Sequence, residues 1–106
     1  MTYRMFIDDE RFPPNDGKEW VIVRSSCEAM AMVADRGVPN FISYDHDLGE
    51  KDTSIIFIHW MMYCYLDGDI SVFPTEFAVH SQNPVGARNI TALLLNFIET
   101  VNPVSA

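Results

Sequence analysis

Three short apolar runs in this chain stop abruptly at ionisable residues, and that repetition constrains the fold more than any other feature. Met5-Phe6-Ile7 breaks into Asp8-Asp9-Glu10. Phe41-Ile42-Ser43-Tyr44 breaks into Asp45-His46-Asp47, and Phe77-Ala78-Val79 into His80-Ser81-Gln82-Asn83. A further run, Trp20-Val21-Ile22-Val23-Arg24, is rich in β-branched residues and reads as another strand. Between Ile7 and Trp20, two prolines and Gly17 leave no room for a regular element, so residues 11–17 read as a loop.

The other segments have helical spacing. Ser25 stands three residues before Glu28, a capping box, and Met30, Val33 and Ala34 follow before Gly37 and Pro39 end the helix. Asp52 or Thr53 is expected to cap a second helix from Ser54 to Leu66. Asn83 caps a third, with Pro84 at its first position and Ala87, Ile90, Leu94, Phe97 and Ile98 on one stripe. Strands alternating with helices imply a parallel sheet, expected in the order 2-1-3-4 with helices on both faces. In such sheets ligands bind outside the carboxyl ends of the strands. Three strand ends here carry acids or histidine.

Those ends suggest a chemistry. If the first and third strands are neighbours, their ends lie about 5 Å apart and bring Asp8, Asp9 and Asp45 together. Carboxylates that close must take up protons or a hard cation, and Mg²⁺ or Mn²⁺ is the expected cofactor. A lone Asp-Asp pair is more often a solvated cap, but a second acidic cluster after another strand favours a metal or phosphate site. His46, among acids, is expected to favour its charged form and act as a general acid. His80 is placed as a general base or substrate ligand. Either histidine taken alone is better explained by bonds to loop backbone. Ser81, Asn83 and Gly86 surround a helix start that suits an anion, with Arg88 within the early helix. Arg11 and Arg24 follow the first two strands and are weaker candidates. His59 is expected to be structural.

Composition narrows the partners. The chain has 106 residues, enough for one domain (1–106), and at 48% apolar it can bury a core. Its net charge of −8 opposes duplex nucleic acid at long range but leaves room for a small anionic substrate. Met1-Thr2-Tyr3-Arg4-Met5 leads straight into a strand, so no leader is expected. The helix 54–66 is too short for a span and carries His59, so no membrane contact is expected. Cys27 and Cys64 are expected as buried free thiols, which fits a cytoplasmic protein. The helix 54–66 is apolar all round, which suggests a homodimer through some of Trp60, Met61, Tyr63 and Tyr65.

The blocks FIDDERFPP, WVIVRSS, FISYDHDLG, DTSIIFIHWM and FAVHSQNPVGARNI together resemble the cyclic-phosphate processing receiver-like family, over roughly Met5 to Ile98. The resemblance implies a receiver-like (flavodoxin-like) three-layer sandwich with the first helix replaced by a loop. It matches Asp8, Asp9 and Asp45 to the acids of a metal site. His46, Asp47, His80, Ser81 and Asn83 match the residues that distinguish this family from signalling receivers. No lysine-bearing fifth strand is evident, which disfavours a phosphorylation switch. The expected activity is metal-assisted opening of a cyclic phosphodiester, such as an RNA 2′,3′-cyclic end or a cyclic nucleotide. The alternatives are a degenerate receiver phosphorylated on Asp45 and a non-catalytic binder of cyclic nucleotides.

Overall fold

The computed structural model describes residues 2–102. Its elements are β1 (Arg4–Ile7), β2 (Val21–Val23), α1 (Ser26–Arg36), β3 (Phe41–Tyr44), α2 (Ser54–Leu66), β4 (Phe77–Val79) and α3 (Pro84–Val101). All strand pairs are parallel and the order is β2-β1-β3-β4, as expected. The register pairs Ile7 with both Val23 and Tyr44, and Tyr44 with Val79. The strand ends are therefore level across the sheet.

Strand residues alternate between two faces. Met5, Ile7, Val23, Ile42 and Tyr44 point into the main core with Ala29, Val33, Phe57, Ile58, Met61, Ile90 and Leu94. The three helices share that side, α1 against α2 and α2 against α3. The other face carries the alternate residues, and here the third layer is the 8–20 loop rather than a helix. Arg4 pairs with Asp16 at 3.6 Å and lies 3.8 Å over the Trp20 ring. Trp20 meets Phe6 and Phe41 edge-on at 5.8 Å. Helices expected on both faces thus gather on one, because Pro13, Pro14 and Gly17 (φ 74°) prevent a helix in the connection that would cover the second.

The caps are those of α1 and α3 as expected. The Ser25 hydroxyl accepts from the Glu28 amide at 3.0 Å, and Glu28 reaches back to the Arg24 amide at 3.0 Å. Asn83 accepts from the Gly86 amide at 3.0 Å. At α2 the cap residue is Thr53, without a side-chain bond. Asp52 instead accepts from the amide and hydroxyl of Ser26, at 2.8 and 2.5 Å, and so ties α1 to the loop before α2. Cys27 is exposed rather than buried, since it falls on the outer side of α1. His59 is exposed on α2. Met61 is fully buried, and Trp60 and Tyr65 pack on the core. Of the residues expected at a dimer contact, only Tyr63, 70% exposed, is free on the surface. No helix among the described residues is long and apolar enough to cross a membrane.

Candidate metal and phosphate site

The level strand ends determine what meets at the sheet edge. Asp8, Asp45 and His80 are each the first residue beyond a strand, and each continues the sheet by one hydrogen bond. The Asp8 amide donates to the Val23 carbonyl at 3.2 Å, the Asp45 amide to Ile7 at 2.9 Å, and the His80 amide to Tyr44 at 2.9 Å. Since Ile7, Tyr44 and Val79 point toward the helices, the next residues point the other way. Their ligand atoms all lie within 4.8 Å of one another, so these three residues can hold a metal ion.

Asp8 is completely buried. Its Oδ1 accepts from the amides of Glu10 and Arg11, at 3.0 and 2.9 Å. Its Oδ2 meets Arg11 Nε at 2.9 Å and His80 Nε2 at 3.0 Å. Burial by itself would raise this carboxyl, but the Arg11 and Glu10 amides, His80 and the Arg11 guanidinium outweigh it and hold it below the usual carboxylate range. Asp45 Oδ1 accepts from the His46 amide at 2.9 Å, and Asp45 Oδ2 lies 3.6 Å from Arg11 Nη2. Arg11 Nη2 also donates to the His80 carbonyl at 3.3 Å.

His80 is clamped from three sides. Its ring stacks on Phe6 with centroids 4.4 Å apart and planes 7° from parallel. Nδ1 lies 2.7 Å from the Ser43 hydroxyl and Nε2 faces Asp8. Burial pushes the imidazole below its ordinary value, against the opposing pull of Asp8 and Asp45. A neutral ring has one donor and one acceptor nitrogen, and the pair Asp8 and Ser43 satisfies both. Ser43 and Phe6 were not singled out as site residues from the sequence. The available signal was a lone serine in an apolar strand, two residues before the acid.

A cavity of about 300 Å³ opens beside the cluster, lined by Asp9, Glu10, Arg11, Asp45, Asp47, Ser81, Gln82 and Asn83. Asp9, grouped with the metal acids in the sequence, is exposed on this rim and is not one of the three clustered ligands. Asp47 bonds His46 Nδ1 at 3.1 Å and the Asn83 amide group at 3.2 Å, linking the β3 and β4 loops. Those two contacts, Asn83 first, lower the Asp47 carboxyl from its ordinary value. Ser81 accepts from the Asn83 amide at 3.1 Å.

Two residues have other surroundings. Gly86 was expected to let an anion approach the backbone, but the space beside it belongs to His46. A Cβ there would lie 2.5 Å from His46 Cγ. His46 is thus packed on the first turn of α3, and it is not one of the cavity-lining residues. Arg88 is exposed on α3 and does not line the cavity. Arg24, a weak candidate, has a structural task. Its Nη1 donates to the carbonyls of Asp8 and Arg11, at 3.0 and 2.5 Å, and fixes the turn that carries both.

No curated protein and no solved structure gives a significant match. The family model of the cyclic-phosphate processing receiver domain matches residues 3–96. That range contains every strand and every residue of the site just described. The chain therefore belongs to the cyclic-phosphate processing receiver domain family.

Proposed function

We propose that this domain is a metal-assisted phosphoesterase that hydrolyses cyclic phosphodiesters, either RNA 2′,3′-cyclic ends or cyclic nucleotides. The observation that carries the reading is the Asp8, Asp45 and His80 cluster, whose Asp45 lines a cavity with Arg11, Ser81 and Asn83. Two carboxylates and an imidazole form a mixed oxygen and nitrogen set. Mg²⁺ prefers oxygen ligands, whereas Mn²⁺ accepts both, so the donor set fits Mn²⁺ better. When bound, such an ion supplies charge neutralisation at the phosphate and a more acidic water.

The chain's own residues supply the rest. To bind through Nε2, His80 must carry its proton on Nδ1. The Ser43 hydroxyl, both donor and acceptor, accommodates that tautomer without moving. Arg11, Ser81 and Asn83 hold the phosphoryl oxygens. A water joins phosphorus through its oxygen and gives up one proton, one ring P–O bond breaks, and the departing oxygen takes one proton, so the net change is the addition of one water. His46 reaches the cavity only through Asp47, which lines it and bonds His46 Nδ1 at 3.1 Å, so the departing oxygen's proton is assigned to His46 by way of Asp47. With His80 on the metal side, the two histidines have different tasks rather than forming one acid–base pair. The net charge of −8 suits a mononucleotide or a strand end and opposes a duplex.

The test is incubation of the pure protein with 2′,3′-cyclic nucleotides in Mn²⁺, in Mg²⁺ and in chelator, followed by phosphorus NMR. Metal-dependent appearance of a monoester is expected, and Asp45→Asn removes it. Binding without turnover under every metal would instead identify a sequestering protein. Stable labelling of Asp45 by a small phosphoryl donor would identify a receiver.

A further inference from the structure

The Asp8 carboxylate is saturated. An ionised carboxylate offers about four acceptor positions. Here the Glu10 amide, the Arg11 amide, Arg11 Nε and His80 Nε2 all point at it, between 2.9 and 3.0 Å. A metal ion can reach Asp8 only if one of these donors leaves. The two amides belong to a turn whose carbonyls are held by Arg24, so they stay. His80 is itself one of the clustered groups, and moving its proton to Nδ1 frees one position on Asp8 Oδ2. A cation entering there still meets the Arg11 guanidinium, which is 38% exposed, lies 2.9 Å from the same Oδ2 and 3.6 Å from Asp45 Oδ2, and so already bridges the two carboxylates with a positive charge.

We infer that Arg11 is a built-in counter-ion that holds the place of the metal and exchanges with it: on metal binding its guanidinium leaves Asp8 and Asp45 and takes the substrate phosphate. The inference rests on the metal reading above and adds a coupling to it. The buried carboxylates then keep a positive partner in both states, which removes the cost of an unpaired buried charge. The direction of travel is set by the surroundings. Arg11 already lines the cavity with Ser81 and Asn83, and its backbone is anchored, so only the side chain moves. A planar fork that pairs bidentately with carboxylate pairs equally with phosphate. Metal and phosphate affinities therefore rise together, each raising the other by the same factor.

The experiment is calorimetric titration with Mn²⁺, with and without inorganic phosphate, on the wild type, Arg11→Met and Arg11→Lys. Without phosphate, Arg11→Met should bind Mn²⁺ more tightly than the wild type by roughly 5–150-fold, because nothing competes for Asp8. Arg11→Lys, with a charge but no fork, should fall between. The mutual enhancement by phosphate should be largest in the wild type and shrink in Arg11→Met. Circular dichroism checks that each variant is folded, and Arg11→Lys carries the comparison if Arg11→Met is not. Binding by the variants but not by the wild type supports the exchange in its strongest form. Wild-type binding with equal or weaker affinity in both variants overturns the exchange and leaves the metal reading standing. Absence of Mn²⁺ binding in all three proteins overturns both.

Discussion

Asp45 has the simplest expected response to mutation. Its carboxylate is one of three clustered ligands, and it lacks the fourfold hydrogen bonding of Asp8. At a metal concentration a hundred times the dissociation constant, binding adds about 2.7 kcal/mol of stability. For a chain of this size that is a rise in Tm of about 10–20 °C. Thermal melts with and without Mn²⁺ should show the rise in the wild type and none in Asp45→Asn. Ser43→Ala removes the partner of His80 Nδ1, so Mn²⁺ affinity should fall about 10–100-fold while the fold persists. An unchanged affinity would leave His80 outside the ligand set. Away from the site, Tyr3 donates to the Gly37 carbonyl at 2.7 Å, and burial raises its phenol above the ordinary value, with Arg36 opposing. A raised folded-state value means the contribution is complete below about pH 10 and is lost as pH climbs through the folded value. Tyr44, fully buried, is raised with the same sign. Urea titrations should show level stability from pH 8 to about 10 and falling stability above it. Tyr3→Phe should lose about 1 kcal/mol at pH 8, from the missing hydrogen bond, and show a shallower alkaline decline.

The elements differ in how closely they were expected. Helix α3 follows from Asn83, Pro84 and one apolar stripe, and it starts at Pro84 as expected. What the stripe does not contain is the reason for Gly86, which is a side chain on another element. His46 fills the space where a Cβ would sit, 2.5 Å from its Cγ. Alanine is intrinsically better in a helix than glycine by about 1 kcal/mol. The clash opposes this, and overpacking of this kind costs about 1–3 kcal/mol. Gly86→Ala should therefore be destabilising in a denaturant titration despite its propensity gain. A stabilised variant would show that α3 is not seated on His46. Helix α2 shows the opposite limit. Apolar residues all round it gave no indication which face is covered. Packing leaves Ile56, Tyr63 and Leu66 at the surface and buries Met61.

At the scale of the whole molecule, those exposed residues carry the proposal of a homodimer, now through Tyr63 and Leu66 rather than Met61. Each copy carries −8, so repulsion opposes the contact and salt screens it. Sedimentation at high protein concentration should show a dimer that strengthens with salt and is lost in Leu66→Glu. A monomer under all conditions would remove the idea. The candidate metal and phosphate site lies at the carboxyl edge of the sheet, and Tyr63 lies on α2. The Leu66→Glu protein should therefore keep its response to Mn²⁺.

The sheet order and the edge that carries the site were readable from the residues alone. Strand periodicity, the caps at Ser25 and Asn83, and the acids after β1 and β3 are local properties, and local patterns survive without knowing the neighbours. The pairing of Asp8 with Asp45 followed as soon as β1 and β3 were adjacent. Side-chain choices across strands were not local. That His80 joins Asp8 and Asp45, while Asp9 stays on the rim, depends on level registers at three strand ends at once. That Ser43 and Phe6 clamp the His80 ring depends on which residues share the face opposite the helices. The place of Arg11 depends on Arg24, thirteen residues later, holding its turn against the sheet edge. Periodicity specifies which way a side chain points from its own backbone, whereas the partner it meets there is set by the packing of segments far apart in the chain.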